Sequence, residues 1–297
     1  MIPLVEFVEI PGFLLFSTLV VVVFGATIGS FLNVCIYRIP RDESVVSPGS
    51  HCPTCMKAIA WYHNIPILTW LSLRGRSACC KKPISGRYVL VEALVAVLFL
   101  LVWAKWVNGV TPHNWLMLSG ITDAGLVPVY CLFAAGLVVG TFVDFEHLII
   151  PDRVTLGGIV AGVLLSAWVP AMHDMSTVKG GLFFAALGAA AGWGILWAVA
   201  IFGSMIFKKE AMGFGDVKLL GGIGAFIGWQ GVLFTIFASS LLGSIVGITL
   251  VCSKKKEMQS RIPFGPYLAL AALIWVMWGP GLTAFYIDLM TPDFSNL

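Results

Sequence analysis

Apolar residues run along almost the whole chain in blocks, separated by short polar or Gly/Pro-rich breaks. Eight blocks stand out, roughly at 13–37, 88–107, 126–143, 154–169, 182–207, 219–229, 232–252 and 267–289. Each must be helical, because hydrocarbon offers backbone N–H and C=O groups no external partner. The fourth and sixth fall short of the ~20 residues that a perpendicular span needs. Small residues at four-residue spacing (Gly136/Gly140, Gly188/Gly192, Gly224/Gly228 and Gly243/Gly247) let helices approach closely in lipid. The expected fold is all-α: a polytopic membrane bundle of about eight transmembrane helices with one extramembrane loop domain. No internal repeat, low-complexity tract or heptad array interrupts this pattern.

Composition agrees. Of 297 residues, 59% are hydrophobic and only 11% charged, with a mean hydropathy of +0.94, against roughly a quarter charged in soluble domains. A water-soluble fold is excluded, and lipid must cover most of the surface. The net charge of +3 is too small and dispersed to form a nucleic-acid stripe. Seven cysteines without a secretory cleavage pattern do not make a disulfide scaffold. Basic residues assign the sides, since Lys and Arg flanking spans stay cytoplasmic. Sixteen of the eighteen fall in alternate loops: 38–87, Arg153, 208–218 and 254–261, leaving Lys105 and Lys179 opposite. Both termini are therefore expected outside. The chain divides into a first span (1–37), a cytoplasmic cysteine loop (38–87) and a membrane core (88–297).

The loop carries Cys52-Pro-Thr-Cys55 and, further on, Cys79-Cys80, with His51, His63, Lys81 and Lys82 nearby. Thiolates bind Zn²⁺ strongly, and a loop of ~50 residues has too small a core to order itself, so a tetrahedral structural zinc site is expected. The first pair has ligand spacing. The second is adjacent, and Ser77 stands where a Cys-x-x-Cys80 pair would need its first thiol. Cys52, Cys55 and Cys80 are the expected ligands, with Cys79, His51 or His63 completing the set; reduced free thiols are the alternative. Cys35, Cys131 and Cys252 read as small core residues.

Acidic residues at span ends that face a bundle are functional candidates. One cytoplasmic-side segment runs from Val143-Asp144 through Glu146 and His147 to Pro151-Asp152-Arg153, and another is Gly213-Phe214-Gly215-Asp216-Val217-Lys218. The side assignment puts Asp144 and Asp216 at similar depth on one face, on helices that a bundle can bring together. Two carboxylates held close do not both ionise readily, so one keeps its proton where a lone Asp, with a pKa near ~3.9, would have lost it. The ionised partner then deprotonates water while the protonated one hydrogen-bonds a scissile carbonyl, as in aspartic proteolysis. Gly213 and Gly215 leave room for a substrate backbone. Asp152 reads as a residue that solvates a turn and caps a helix.

At these residues the chain closely resembles the type IV prepilin peptidases, Gly-x-Gly-Asp membrane aspartyl proteases that process type IV pilins and type II secretion pseudopilins. The resemblance includes Gly29-Ser30-Phe31-Leu32-Asn33-Val34, Tyr37-Arg38, the Cys52/Cys55 loop, Leu73-Arg74-Gly75-Arg76 and Pro83-Ile84-Ser85 with Arg87-Tyr88 and Glu92. It continues through Asp144, Ile150-Pro151-Asp152, Gly213 to Lys218, and Pro263-Phe264-Gly265-Pro266-Tyr267. It implies that Asp144 and Asp216 are the catalytic pair, whereas the aspartate matching Asp152 is not assigned that role; Gly213, Gly215, Lys218 and Asp152 are expected to support the site from around it. It also implies a second activity: cleavage of a short basic leader is followed by methylation of the new N-terminal amine, usually a phenylalanine, from S-adenosylmethionine. No glycine-rich signature for a methyl donor occurs, so that activity rests on the resemblance. Glu92 is a candidate to pair with Arg87 or to receive the substrate's ammonium. Ser77 departs from the family, whose third cysteine stands there.

The implied partners are prepilins or pseudopilins and membrane lipid, not nucleic acid, with cleavage at the cytoplasmic face of the bacterial inner membrane. Glu146, Asp152 or Glu210 would attract the basic leader, at roughly 1 kcal/mol or less each if solvated. The rival readings are a proton- or cation-coupled transporter and a non-catalytic scaffold with a zinc loop. A transporter would place acids near the midplane and commonly show repeated halves.

Overall fold

In a computed structural model of the chain, the described residues are 11–52, 54–108, 125–208, 212–253 and 263–290. Lys254 to Arg261 and Glu210, which entered the charge arguments above, lie outside them. Among the described residues the helices are α1 (Pro11–Arg38), α2 (Leu68–Ser72), α3 (Arg87–Trp103), α4 (Leu126–His147), α5 (Asp152–Trp168), α6 (Val178–Phe207), α7 (Phe214–Cys252) and α8 (Gly265–Met290). No strand occurs among them, only two isolated β-bridges in the cysteine loop. Six helices, α1, α3, α4, α6, α7 and α8, are long and apolar enough to cross a membrane. Large side chains such as Phe16, Phe183, Ile206 and Phe237 stand exposed on them, as lipid-facing surface should.

The short fourth block forms α5, 17 residues long. The sixth and seventh blocks are joined in α7, which breaks at Gly228, where φ is 71° and ψ 176°. A methyl group built on Gly224 would lie 2.8 Å from Val232 Cγ2, whereas residues eight apart in a straight helix are separated by about 12 Å. The chain therefore bends sharply at Gly228, in a backbone region that glycine enters most readily. The sixth apolar segment also starts earlier than its hydrophobic block, at Phe214. With α5 and the two parts of α7, eight apolar helical segments are present among the described residues.

Two compact units divide the chain, 1–154 and 155–297. In the first, α1, α3 and α4 bury Leu32, Ile36, Val91, Val95, Phe99, Val138 and Val143. Close approach of α1 to α3 depends on glycine: a methyl group on Gly29 would sit 2.7 Å from Glu92 Cα, and one on Gly25 2.9 Å from Ala96 Cα. Asn33 Nδ2 adds a hydrogen bond to the Tyr88 carbonyl at 3.0 Å. α4 ends where Leu148 turns left-handed (φ 54°) and donates its N–H to the Asp144 carbonyl at 2.9 Å. Pro151 then rules out continuation of that helix.

In the second unit α6 packs on α7 through backbone contact. Methyl groups on Gly188 and Gly192 would meet the Gly224 and Leu220 carbonyl oxygens at 2.1 and 2.3 Å. Gly162 brings α5 equally close, its added methyl 2.7 Å from Ala225 Cβ. Thr177 caps α6, accepting the Gly180 N–H at 3.2 Å. Gly136 faces open space instead, so its four-residue spacing to Gly140 does not mark a contact of this kind.

Candidate functional site

The start of the cysteine loop is tied to the end of α1. Buried Arg38, the last residue of α1, donates from Nη1 to the Ser44 carbonyl at 2.9 Å and from Nη2 to the Pro48 carbonyl at 2.7 Å. Further on, the sulfurs of Cys52, Cys55, Cys79 and Cys80 all lie within 4.8 Å of one another. Cys52 and Cys80 are 3.7 Å apart, and Cys55 and Cys79 3.2 Å. With Zn–S bonds of ~2.3 Å, a tetrahedral site sets its sulfurs about 3.8 Å apart, so this set fits one such ion. Among the described residues, the fourth sulfur of the cluster comes from Cys79, and no histidine belongs to it. His51 Nδ1 is instead 3.0 Å from the Gly49 carbonyl, and the His63 ring packs against Tyr62 at 4.6 Å between centroids.

Ser77 sits inside the cluster, its Oγ 3.4 Å from Cys52 Sγ and 2.9 Å from Cys79 Sγ. The Ser77 hydroxyl, with the backbone N–H groups of Cys55 and Thr54, pulls the Cys52 thiol down to about 5. The same hydrogen bonds favour the thiolate, the form that binds metal. The Lys82 backbone N–H, and then Ser77, lower Cys80 as well. Cys55 moves the other way: although the Lys57 backbone N–H lowers it, the adjoining Cys79, Cys52 and Cys80 thiols and desolvation raise it to about 11.

Glu92 anchors the loop. It is buried on α3, and its Oε2 accepts the Ile67 N–H at 2.7 Å, with the Ser30 side chain as a further partner. Ile67 has φ 61° and ψ −54°, an uncommon place for a β-branched residue and one that needs external support. Arg87 does not pair with Glu92. It forms an ion pair with Glu146 near the end of α4 and lies over the Tyr88 ring.

Asp144 stands in the last turn of α4, only 5% exposed, and Asp216 in the first turn of α7, 9% exposed. Asp144 belongs to the first unit and Asp216 to the second. Asp152, by contrast, is exposed at the start of α5. The Asp216 N–H bonds the Gly213 carbonyl at 3.2 Å, and a methyl group on Gly213 would lie 3.4 Å from Asp216 Oδ2. Glycine there keeps the approach to the carboxylate clear. Gly215 is half-buried in the same turn. Lys218 places its Nζ over the Phe214 ring at 5.1 Å, and Phe214 meets Trp193 edge-on. Phe214 also joins Trp197, Ile201, Ser204 and Met205 in lining an open apolar groove of about 450 Å³.

The roles of Asn33, Arg38 and Ile67 were not read from sequence. The first two belong to the motifs quoted for the family resemblance, but their partners are 55 residues away for Asn33 and 6 and 10 for Arg38.

Residues 23–106 match the Bacterial Peptidase A24 N-terminal domain, and residues 131–248 match the Type IV leader peptidase family. The first match holds the cysteine loop with Arg87 and Glu92; the second holds Asp144 and Asp216. The prepilin leader peptidase/N-methyltransferase of Aeromonas hydrophila is 35% identical over 294 residues, spanning 90% of this chain and 92% of that relative. That of Myxococcus xanthus is 34% identical, spanning 96% of this chain and 79% of the relative. That of Pseudomonas aeruginosa is 32% identical, spanning 90% and 92%. No solved structure matches. With both segments matched in order and relatives aligned along nearly the full length, the chain belongs to the type IV leader peptidase family.

Proposed function

We propose that this chain is a multi-pass inner-membrane aspartyl endopeptidase. It cleaves the short basic leader of type IV prepilins or type II secretion pseudopilins, then methylates the new N-terminal amine. The observation that carries the peptidase half is the burial of Asp144 and Asp216 at helix ends, inside the region matched to the Type IV leader peptidase family. The methyltransferase half is supported by the relatives, which are named for both activities.

On this reading Asp144 and Asp216 share one proton. The ionised carboxylate takes a proton from water as its oxygen attacks the scissile carbonyl, while the protonated one hydrogen-bonds the developing oxyanion. As the tetrahedral intermediate collapses and the C–N bond breaks, the carboxyl group that took the water's proton gives it to the leaving amine. Gly213 and Gly215 keep the substrate backbone's path open, Lys218 supports the turn that aims Asp216, and exposed Asp152 acts on the leader's charge. The substrate's apolar helix lies in the groove beside Phe214, with its cleavage site at the cytoplasmic face. Both termini of the chain are outside.

Cys52, Cys55, Cys79 and Cys80 would hold a structural zinc ion, which supplies the cross-link that a small loop core lacks. S-adenosylmethionine supplies a methyl group on a positively charged sulfur, open to attack by the amine's lone pair. Glu92 and Arg87 position the loop for this step, Glu92 through Ile67 and Arg87 through Glu146. The functional divisions are the first span (1–37), the methyl-transfer loop (38–87) and the peptidase core (88–297).

The test is to incubate the purified chain with a prepilin and S-adenosylmethionine and read product masses. Leader loss, then addition of one methyl group, is expected. Asp144→Asn and Asp216→Asn should each abolish cleavage while membrane insertion persists, because Asn keeps the shape but is neither base nor acid. Substantial cleavage by either folded variant refutes the dyad.

A further inference from the structure

Two turns of the cysteine loop repeat one backbone pattern. In the first, Cys52 N–H donates to the Lys57 carbonyl at 2.9 Å and Met56 N–H to the Cys52 carbonyl at 2.9 Å, with Met56 at φ 58°. In the second, Ser77 N–H donates to the Lys82 carbonyl at 2.8 Å and Lys81 N–H to the Ser77 carbonyl at 3.0 Å, with Lys81 at φ 59°. Isolated antiparallel bridges flank both, His51 with Ala58 and Arg76 with Pro83. Each feature of the first turn recurs 25 positions later, so residue 77 is the counterpart of Cys52 and Cys80 that of Cys55. Both Cys52 and Ser77 are buried. Cys79 is the counterpart of Thr54, which is not a ligand in the first turn.

We propose that the fold's own ligand position at residue 77 has been vacated, and that Cys79 supplies the fourth thiolate from two residues further along the same turn. Ser77 is kept in the site as a hydroxyl donor to the sulfurs. The inference rests on the metal reading given above and assigns its ligands. Reach supports it: Cys79 Sγ is 3.2 Å from Cys55 Sγ and 2.9 Å from Ser77 Oγ, so the displaced thiol ends where a thiol at residue 77 would be needed. Chemistry supports it too. A neutral hydroxyl is a poor ligand for a thiophilic ion when a thiolate lies within contact distance. The same hydroxyl, 3.4 Å from Cys52 Sγ, is well placed to donate a hydrogen bond that disperses thiolate charge. Each ligating thiol gives its proton to solvent, and no redox change is involved.

The probe is Co²⁺, loaded into the full-length chain in detergent micelles, because its visible and near-ultraviolet bands report the number of bound thiolates. The unaltered chain should bind one Co²⁺ with a four-thiolate spectrum. Cys79→Ser should give a three-thiolate spectrum and bind at least about tenfold more weakly, since even outer-shell changes cost about that much. Ser77→Ala should keep the four-thiolate spectrum. The double variant Ser77→Cys with Cys79→Ser should recover it, because the thiol then stands at the position that mirrors Cys52. Circular dichroism of each variant should be unchanged, since the membrane helices lie outside the loop. An unaltered spectrum and affinity in Cys79→Ser, or failure of the double variant to recover four-thiolate binding, overturns the assignment while leaving the metal reading intact. No Co²⁺ bound by the unaltered chain overturns both.

Discussion

Gly192 and Gly194 lie two residues apart on α6 in opposite surroundings, which makes the packing argument measurable. A methyl group at Gly192 would lie 2.3 Å from the Leu220 carbonyl oxygen and 2.8 Å from its carbon, whereas one at Gly194 would meet nothing within 4 Å. Ordinary contact begins near 3.4 Å, so Gly192→Ala must part α6 from α7 by about 1 Å, a gap that forfeits a quarter to a half of each contact's dispersion energy. Overpacking of this kind costs about 1–3 kcal/mol, at the upper end when the obstacle is backbone that cannot rotate away. Alanine's better helix propensity returns up to about 1 kcal/mol. Gly192→Ala should therefore lose about 1–2 kcal/mol net, and Gly194→Ala should lose nothing or gain up to about 1 kcal/mol. Reversible denaturation in mixed micelles, followed by the fluorescence of the 11 tryptophans, measures both. Leu220 lies one turn after Asp216 on α7, so cleavage by Gly192→Ala should also fall by about tenfold or more, as misplacements near 1 Å do. Equal stability of the two variants would refute the close-packing argument.

Other outcomes follow from the same geometry. Asp152→Asn, which alters an exposed carboxylate, should slow cleavage only modestly, by no more than the roughly 1 kcal/mol of a solvated charge; complete loss in steady-state assays would count against the assignment of the dyad. Changing Cys52 and Cys55 together to Ser should reduce methylation much more than cleavage, and a parallel fall of both in folded protein would indicate one composite site. His173, between α5 and α6, has a buried Nε2 without a partner among the described residues, and burial holds its pKa below the ordinary 6.5. The folded state then binds fewer protons than the unfolded one, so this contribution to stability is complete above pH 6.5 and is lost as the pH falls below it. Melting curves across that range should show the decline in the unaltered chain and a shallower one in His173→Gln; identical slopes would remove His173 as its source.

The membrane helices were legible in the sequence because their cause is local. A lipid solvent leaves the backbone one way to satisfy itself, so apolar blocks become helices wherever they occur, and most observed ends fall within a few residues of the blocks. The acidic candidates were legible for the same reason: a carboxylate in so apolar a chain stands out. Tertiary structure decided what depends on residues far apart in the chain. Four-residue glycine spacing cannot tell Gly192, pressed on a neighbouring carbonyl, from Gly136, which faces open space. The bend at Gly228 is defined by its dihedral angles and by Val232 folding back beside Gly224. Charge and spacing allowed Arg87 to pair with Glu92; folding gave Arg87 to Glu146 and Glu92 to the Ile67 N–H. The cysteine motif named the donors, but paired turns and the reach of one side chain bring Cys79 into the cluster and hold His51 at Gly49, because ligation depends on sulfur positions in space and not on spacing along the chain.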